Sequence, residues 1–151
     1  MKQTLIKNGI IKSFNLIKNE KNLHHITINP QKNCHSKDLI FRTKFYIREL
    51  MRLSEYNNKP IKFLFVIEYS SFISKGTSTS INRIGEHVHL LISSPLTTQQ
   101  LEGCFYTTYN GLVNSYFERI DNRNDKEQIC NYLIKQEKYF DDNTFRTNIK
   151  G

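Results

Sequence analysis

The succession of elements in this chain predicts an α+β, ferredoxin-like or RRM-like sandwich, a four- to five-stranded antiparallel sheet with helices on one face. Three observations carry that expectation. Residues 24–29 alternate apolar and polar, residues 61–68 and 86–93 form two further strand-like runs, and apolar stripes at helical spacing fill the stretches between. The predicted order is strand, helix, strand, strand, helix, strand, helix. No internal repeat or second domain interrupts it.

Residues 1–22 are rich in Lys, Asn and Ile. The apolar spacing of Leu5, Ile6, Ile10, Ile11, Phe14 and Ile17 suits a short amphipathic helix, but Gly9 and the asparagines weaken it, so the segment reads as an adaptable basic N-terminal arm. The remaining domain spans 23–151. Its first strand runs from His24 to Asn29, with Ile26 and Ile28 on one face, His25, Thr27 and Asn29 on the other, and Pro30 closing it. Ser36 can cap a helix to about Tyr56, whose stripe includes Leu39, Ile40, Ile47, Leu50 and Met51. Ile61 to Glu68 is almost continuously apolar, as an interior strand should be, with Glu68 out of character at its end. From Ser70 to Gly85 the residues are polar and carry Lys75 and Arg83, which reads as a long hairpin loop.

Glu86 to Ser93 reads Glu-His-Val-His-Leu-Leu-Ile-Ser. On a strand, His87 and His89 share one face while Val88, Leu90 and Ile92 share the other. Two imidazoles side by side can hold a divalent cation, although a half-buried strand that merely carries two histidines has the same pattern. Pro95 ends the run. Thr97 or Thr98 can cap a helix to about Val113, Ser115 to Ile120 is a short strand, and Asp125 can cap a last helix through about Tyr139. In that last helix Ile129, Cys130, Leu133 and Ile134 share an apolar side, while Tyr132, Lys135 and Gln136 cluster on an adjoining polar one.

Composition narrows the partners. The chain has 151 residues, with 22 Lys+Arg against 14 Asp+Glu for a net charge of +8, which favours an anionic partner such as nucleic acid. Cys34, Cys104 and Cys130 are widely spaced and form no Cys-x-x-Cys pair, so reduced thiols are expected rather than a disulfide framework or zinc-thiolate site. No apolar run approaches the roughly 20 residues that span a bilayer, and no signal-peptide core is present. The expectation is a soluble, intracellular protein with no membrane partner.

The ordered set Thr27-Ile28-Asn29, Glu68, His87-Val88-His89 and Tyr132-Leu133-Ile134-Lys135 resembles the three motifs of the HUH endonucleases, in particular the initiators of rolling-circle replication in plasmids, phages and small single-stranded DNA viruses. The resemblance covers about residues 24 to 139 and makes 23–151 one HUH-type domain whose C-terminal helix carries the catalytic tyrosine. It implies that His87 and His89 bind Mn²⁺ or Mg²⁺ with Glu68 as third ligand, and that Tyr132, assisted by Lys135, attacks a DNA phosphate to leave a 5′-phosphotyrosine. Glu86 competes for the third ligand, but strand alternation turns it away from His87. DNA contacts are expected from His25, Thr27 and Asn29 on the sheet face and from Lys75 and Arg83. The partner would be single-stranded DNA or an origin hairpin, with unwinding left to a host helicase and a homodimer compatible with the reading.

Two other readings stay open. The single-tyrosine, single-strand transposases of the same superfamily also show His-Val-His-Leu-Leu, and Gln136 falls where they place a metal-binding side chain. A non-catalytic RRM-like module would use the same sandwich, but the first strand and the His strand offer it few aromatics.

Overall fold

The computed structural model describes residues 2–30, 36–55, 61–71, 84–109, 113–120, 126–135, 137 and 140–149. Helix α1 is Lys2–Ile17 and strand β1 is Leu23–Pro30. Helix α2, Ser36–Glu55, leads to the hairpin strands β2, Lys62–Ser71, and β3, Ile84–Ser93. Helix α3, Thr98–Tyr109, strand β4, Val113–Arg119, helix α4, Lys126–Ile134, and strand β5, Phe145–Thr147, complete the chain. The five strands form one antiparallel sheet in the order β4-β1-β3-β2-β5, an α+β architecture consistent with the ferredoxin-like sandwich. No helix among the described residues is long and apolar enough to cross a membrane.

Helices α2 and α3 cover the first face of the sheet. Ile26 and Ile28 of β1, Phe65 and Ile67 of β2, and Val88, Leu90 and Ile92 of β3 pack there against Leu39, Ile47, Leu50, Leu101 and Phe105. Burial of this size is the main stabilising term, at roughly 25 cal/mol for each Å² of apolar surface. Tyr46 and Tyr109 enter the same core because their hydroxyls are satisfied: Tyr46 donates to the Leu101 carbonyl at 2.7 Å and Tyr109 to Thr43 Oγ1 at 2.8 Å. Thr97 caps α3 in a reciprocal box with Gln100, whose backbone N–H donates to Thr97 Oγ1 at 3.1 Å while its side-chain Oε1 accepts from the Thr97 N–H at 2.9 Å.

The second face departs from expectation. Residues 2–17 are not an arm but a helix, with Ile10, Phe14 and Ile17 buried against Leu64, Val66 and Leu91 of the sheet and Ile129 and Leu133 of α4. The sheet therefore carries helices on both faces, and the second is only partly open. Gly9, which weakens the helical signal, has a packing reason: a Cβ there would lie 2.8 Å from Phe145 Cζ, so its absence lets α1 come down on β5. Asn22, at φ 56°, turns the chain from α1 into β1, a conformation asparagine tolerates better than most residues. Its side-chain N–H groups donate to the carbonyls of Ser94 and, at 3.1 Å, Leu96.

Boundaries move by a few residues. α3 ends at Tyr109 rather than near Val113, which opens β4, and α4 ends at Ile134 rather than near Tyr139, which lies outside the described residues. Ser70, Ser71, Ile84 and Gly85 belong to β2 and β3 instead of to the expected loop, and residues 72–83 lie outside the described residues. Strand β5 was not assigned from sequence. It has three residues and pairs with β2 through Leu64↔Thr147, Phe65↔Arg146 and Val66↔Phe145.

Candidate functional site

Strand register builds the site. In the β2-β3 ladder, Glu68 is the direct partner of His87 and Val66 of His89, so Glu68, His87 and His89 all leave the sheet on the second face. Glu86 pairs with Tyr69, one step along the ladder from the Glu68-His87 pair. Thr27 of β1 lies opposite His89 on its other side, and Tyr116 of β4 lies opposite Thr27. One row thus crosses the sheet as Tyr116, Thr27, His89, Val66, Phe145.

Helix α4 delivers the remaining groups. Ile129 and Leu133, four residues apart, bury its inner side, leaving Tyr132 54% exposed. Its start is tied to the turn after α1 by Lys126 Nζ, which donates to the Lys18 carbonyl at 2.6 Å, and the segment after it is tied to α1 by Lys7 Nζ, 3.4 Å from Glu137 Oε2. From there Lys135 Nζ reaches Glu68 Oε1 at 2.6 Å while lying 4.8 Å from the centroid of the Tyr132 ring. Gln128, Asn131, Tyr132 and Lys135 line an open groove of about 390 Å³ beside this contact.

Glu68 is the hub. Its Oε2 accepts from His89 Nε2 at 2.6 Å and its Oε1 takes the Lys135 ammonium, with only 11% of the side chain exposed. Burial pushes the carboxyl pKa up, but the hydrogen bonds and charges of His89 and Lys135 outweigh it and hold the group at about 2. Burial lowers the pKa of His87; the Glu68 carboxylate opposes that shift, while His89 and Lys135 reinforce it. The second nitrogen of His89, Nδ1, is 3.1 Å from His25 Nε2. A carboxylate only accepts, so His89 Nε2 carries the hydrogen, and in the neutral ring Nδ1 accepts from His25.

The structure therefore brings Glu68, His89, Lys135 and His25 into contact, with His87 beside Glu68 on the ladder and the Lys135 ammonium over the Tyr132 ring. His25, expected on a DNA-facing surface, is on that face but engaged with His89. Thr27 stands beside His89, and Asn29 lies opposite Asn114 toward the end of β1. Lys75, Arg83 and Gln136 lie outside the described residues. Sequence reading missed Tyr116, an exposed aromatic on the edge strand, because β4 shows little alternation until it is placed beside β1.

An ionised carboxylate and two imidazoles are suitable donors for a divalent cation. Yet no group of three or more His, Cys, Asp or Glu is arranged to hold a metal among the described residues, and both Glu68 oxygens are engaged by cationic or donating groups. For these donors to take Mn²⁺ or Mg²⁺, Lys135 must leave Glu68 and His89 must give up its hydrogen bond to Glu68 or to His25. Cys104 and Cys130 are free, half-buried thiols, and Cys34 lies outside the described residues.

No family model matches the chain, and no curated protein does. Among solved structures, the hypothetical protein ORF119 from Sulfolobus islandicus rod-shaped virus 1 is similar, with a TM-score of 0.52 and 13% identity over 88% of this chain and 97% of that one. The likeness is one of fold. Part of an amidase of the hydantoinase/carbamoylase family from Burkholderia multivorans aligns at a TM-score of 0.33 and 10% identity, over 66% of this chain and 26% of that one, and carries no argument.

Proposed function

We propose that this protein is a tyrosine-dependent endonuclease and strand transferase that nicks single-stranded DNA, in the manner of the HUH initiators of rolling-circle replication. The observation that supports it is the meeting of Glu68 with both His89 and Lys135, because it joins the candidate ligand strands β2 and β3 to the helix that carries Tyr132. In this reading Glu68, His87 and His89 would hold Mn²⁺ or Mg²⁺. Such a cation supplies Lewis-acid polarisation of the scissile phosphate. Lys135 would have to release Glu68 to the cation, and its ammonium beside the Tyr132 ring can then offset negative charge developing on the phosphate.

Tyr132 Oη forms a bond to phosphorus as the bond from phosphorus to the 3′ oxygen breaks. The phenol proton is lost to solvent and the leaving 3′ oxygen takes one up, giving a 5′-phosphotyrosine and a free 3′-OH. The phosphodiester's free energy is retained, so the reverse reaction rejoins strands. Exposure of Tyr132 in an open groove suits an accessible, single-stranded backbone.

Incubation with a broad set of single-stranded oligonucleotides and Mn²⁺, followed by denaturing electrophoresis, tests this. A covalent adduct is expected, and its loss in Tyr132→Phe. No adduct, or one that survives that substitution, would overturn the proposal. Exposed Tyr116 beside Thr27 favours a second reading, a non-catalytic single-strand binder that stacks bases on the sheet. That reading predicts no adduct in this assay, with the same oligonucleotides bound in a native gel shift.

A further inference from the structure

A second basic region lies on the other side of the sheet. Between α2 and the β2-β5 edge is a groove of about 400 Å³ whose rim carries Lys44, Arg48 and Arg146. Lys44 and Arg48 are four residues apart on α2, hence neighbours about 6 Å apart along its axis. Arg146 faces them from β5, opposite Phe65 in the ladder. Ile47, Met51 and the Phe63-Phe65 pair, whose rings are 6.3 Å apart and only 12° from parallel, form its apolar walls.

What marks this groove is its charge. Elsewhere Lys2, Lys7, Arg52, Lys62 and Lys135 each meet a carboxylate. Lys44, Arg48 and Arg146 take part in no ion pair among the described residues, and no acidic side chain lines the groove. Three like charges gathered around one depression repel one another unless an anion sits among them.

We propose that this groove binds the phosphodiester backbone of a single-stranded nucleic acid, with a base against the apolar wall formed in part by Phe63. Guanidinium forks match phosphate oxygens in pairs, and an aromatic wall under a basic rim suits an unpaired base, whereas a duplex keeps its base faces hidden. The site lies on the helix-covered face, opposite Glu68 and Tyr132, so it is separate from the chemistry proposed there and stands or falls without it.

The test is fluorescence anisotropy of a labelled single-stranded oligonucleotide, without divalent metal and in the Tyr132→Phe background, over a range of salt. Lys44→Ala, Arg48→Ala and Arg146→Ala are compared singly and together, with Lys12→Ala on α1 as an exposed control cation and thermal melts to confirm folding. The triple variant is expected to lose about tenfold in affinity at low salt and to flatten the log-log salt slope by about 0.7 for each phosphate contact removed, with about twofold or less for the control. Losses no larger than the control's would overturn the proposal. So would equal sensitivity of duplex DNA or of an oligoglutamate of matched charge.

Discussion

Val88, Leu90 and Ile92 leave β3 on one side and His87 and His89 on the other, and the two faces of the sheet treat their residues in opposite ways. The first is closed by α2 and α3 over an apolar core in which the buried Tyr46 and Tyr109 hydroxyls are paired, with Lys44, Arg48 and Arg146 toward its β5 edge. The second has an apolar patch under α1 and α4, then the ionic cluster around Glu68, then the half-buried Thr27 and the exposed Tyr116 of the β1-β4 side. A sheet that gives up packing on part of one face gains room for charged groups there, while the other face supplies the stability they need.

The sharpest way to break this comparison is on the first face. Leu90→Ala should cost about 2–5 kcal/mol in urea unfolding, since Leu90 is fully buried, and should affect nicking only through loss of folded protein. A stable variant with lost activity would mean that the first face also shapes the site.

On the second face the effect should depend on pH. Glu68 has a folded pKa of about 2, below its ordinary value of 4.5, so the stability it contributes is present above 4.5 and is lost as pH falls toward about 2. Wild type should therefore exceed Glu68→Gln by about 1–3 kcal/mol near neutrality, with the gap narrowing in acid below 4.5. Chemical denaturation across that range measures it. A gap that stays constant into acid would detach the difference from the carboxylate's ionisation.

A smaller change sharpens the site itself. Lys135→Ala removes the ammonium that competes for Glu68, so calorimetry should show Mn²⁺ affinity rising about tenfold, or 1.4 kcal/mol, even as nicking falls. Unchanged or weaker binding would separate Lys135 from the cation site. The smallest effect concerns α1. Gly9→Ala improves helix propensity by about 1 kcal/mol but drives a methyl group into the Phe145 ring, so a small net loss in melting temperature is expected. In a Phe145→Leu background the same substitution should become stabilising.

The histidine pair and Glu68 were legible because a period of two fixes which face each residue takes, and the hairpin then sets Glu68 against His87. Tyr132 was legible as an exposed residue because Ile129 and Leu133 claim the inner side of α4. The covered half of the second face was not. Gly9 lowers the helical signal of α1 for the same reason that it allows close packing, and three residues are too few for β5 to show alternation. The Glu68-Lys135 contact was equally hidden, since local spacing says nothing about where α4 lands on the sheet.

The pairing of Glu68 with His87 has one more consequence. Their separation is fixed by the hydrogen-bonded ladder and not by the chain that connects the strands, so residues 72–83 can lengthen, shorten or change composition without moving either side chain. Such an arrangement lets evolution alter what surrounds the site while its inner dimensions stay constant.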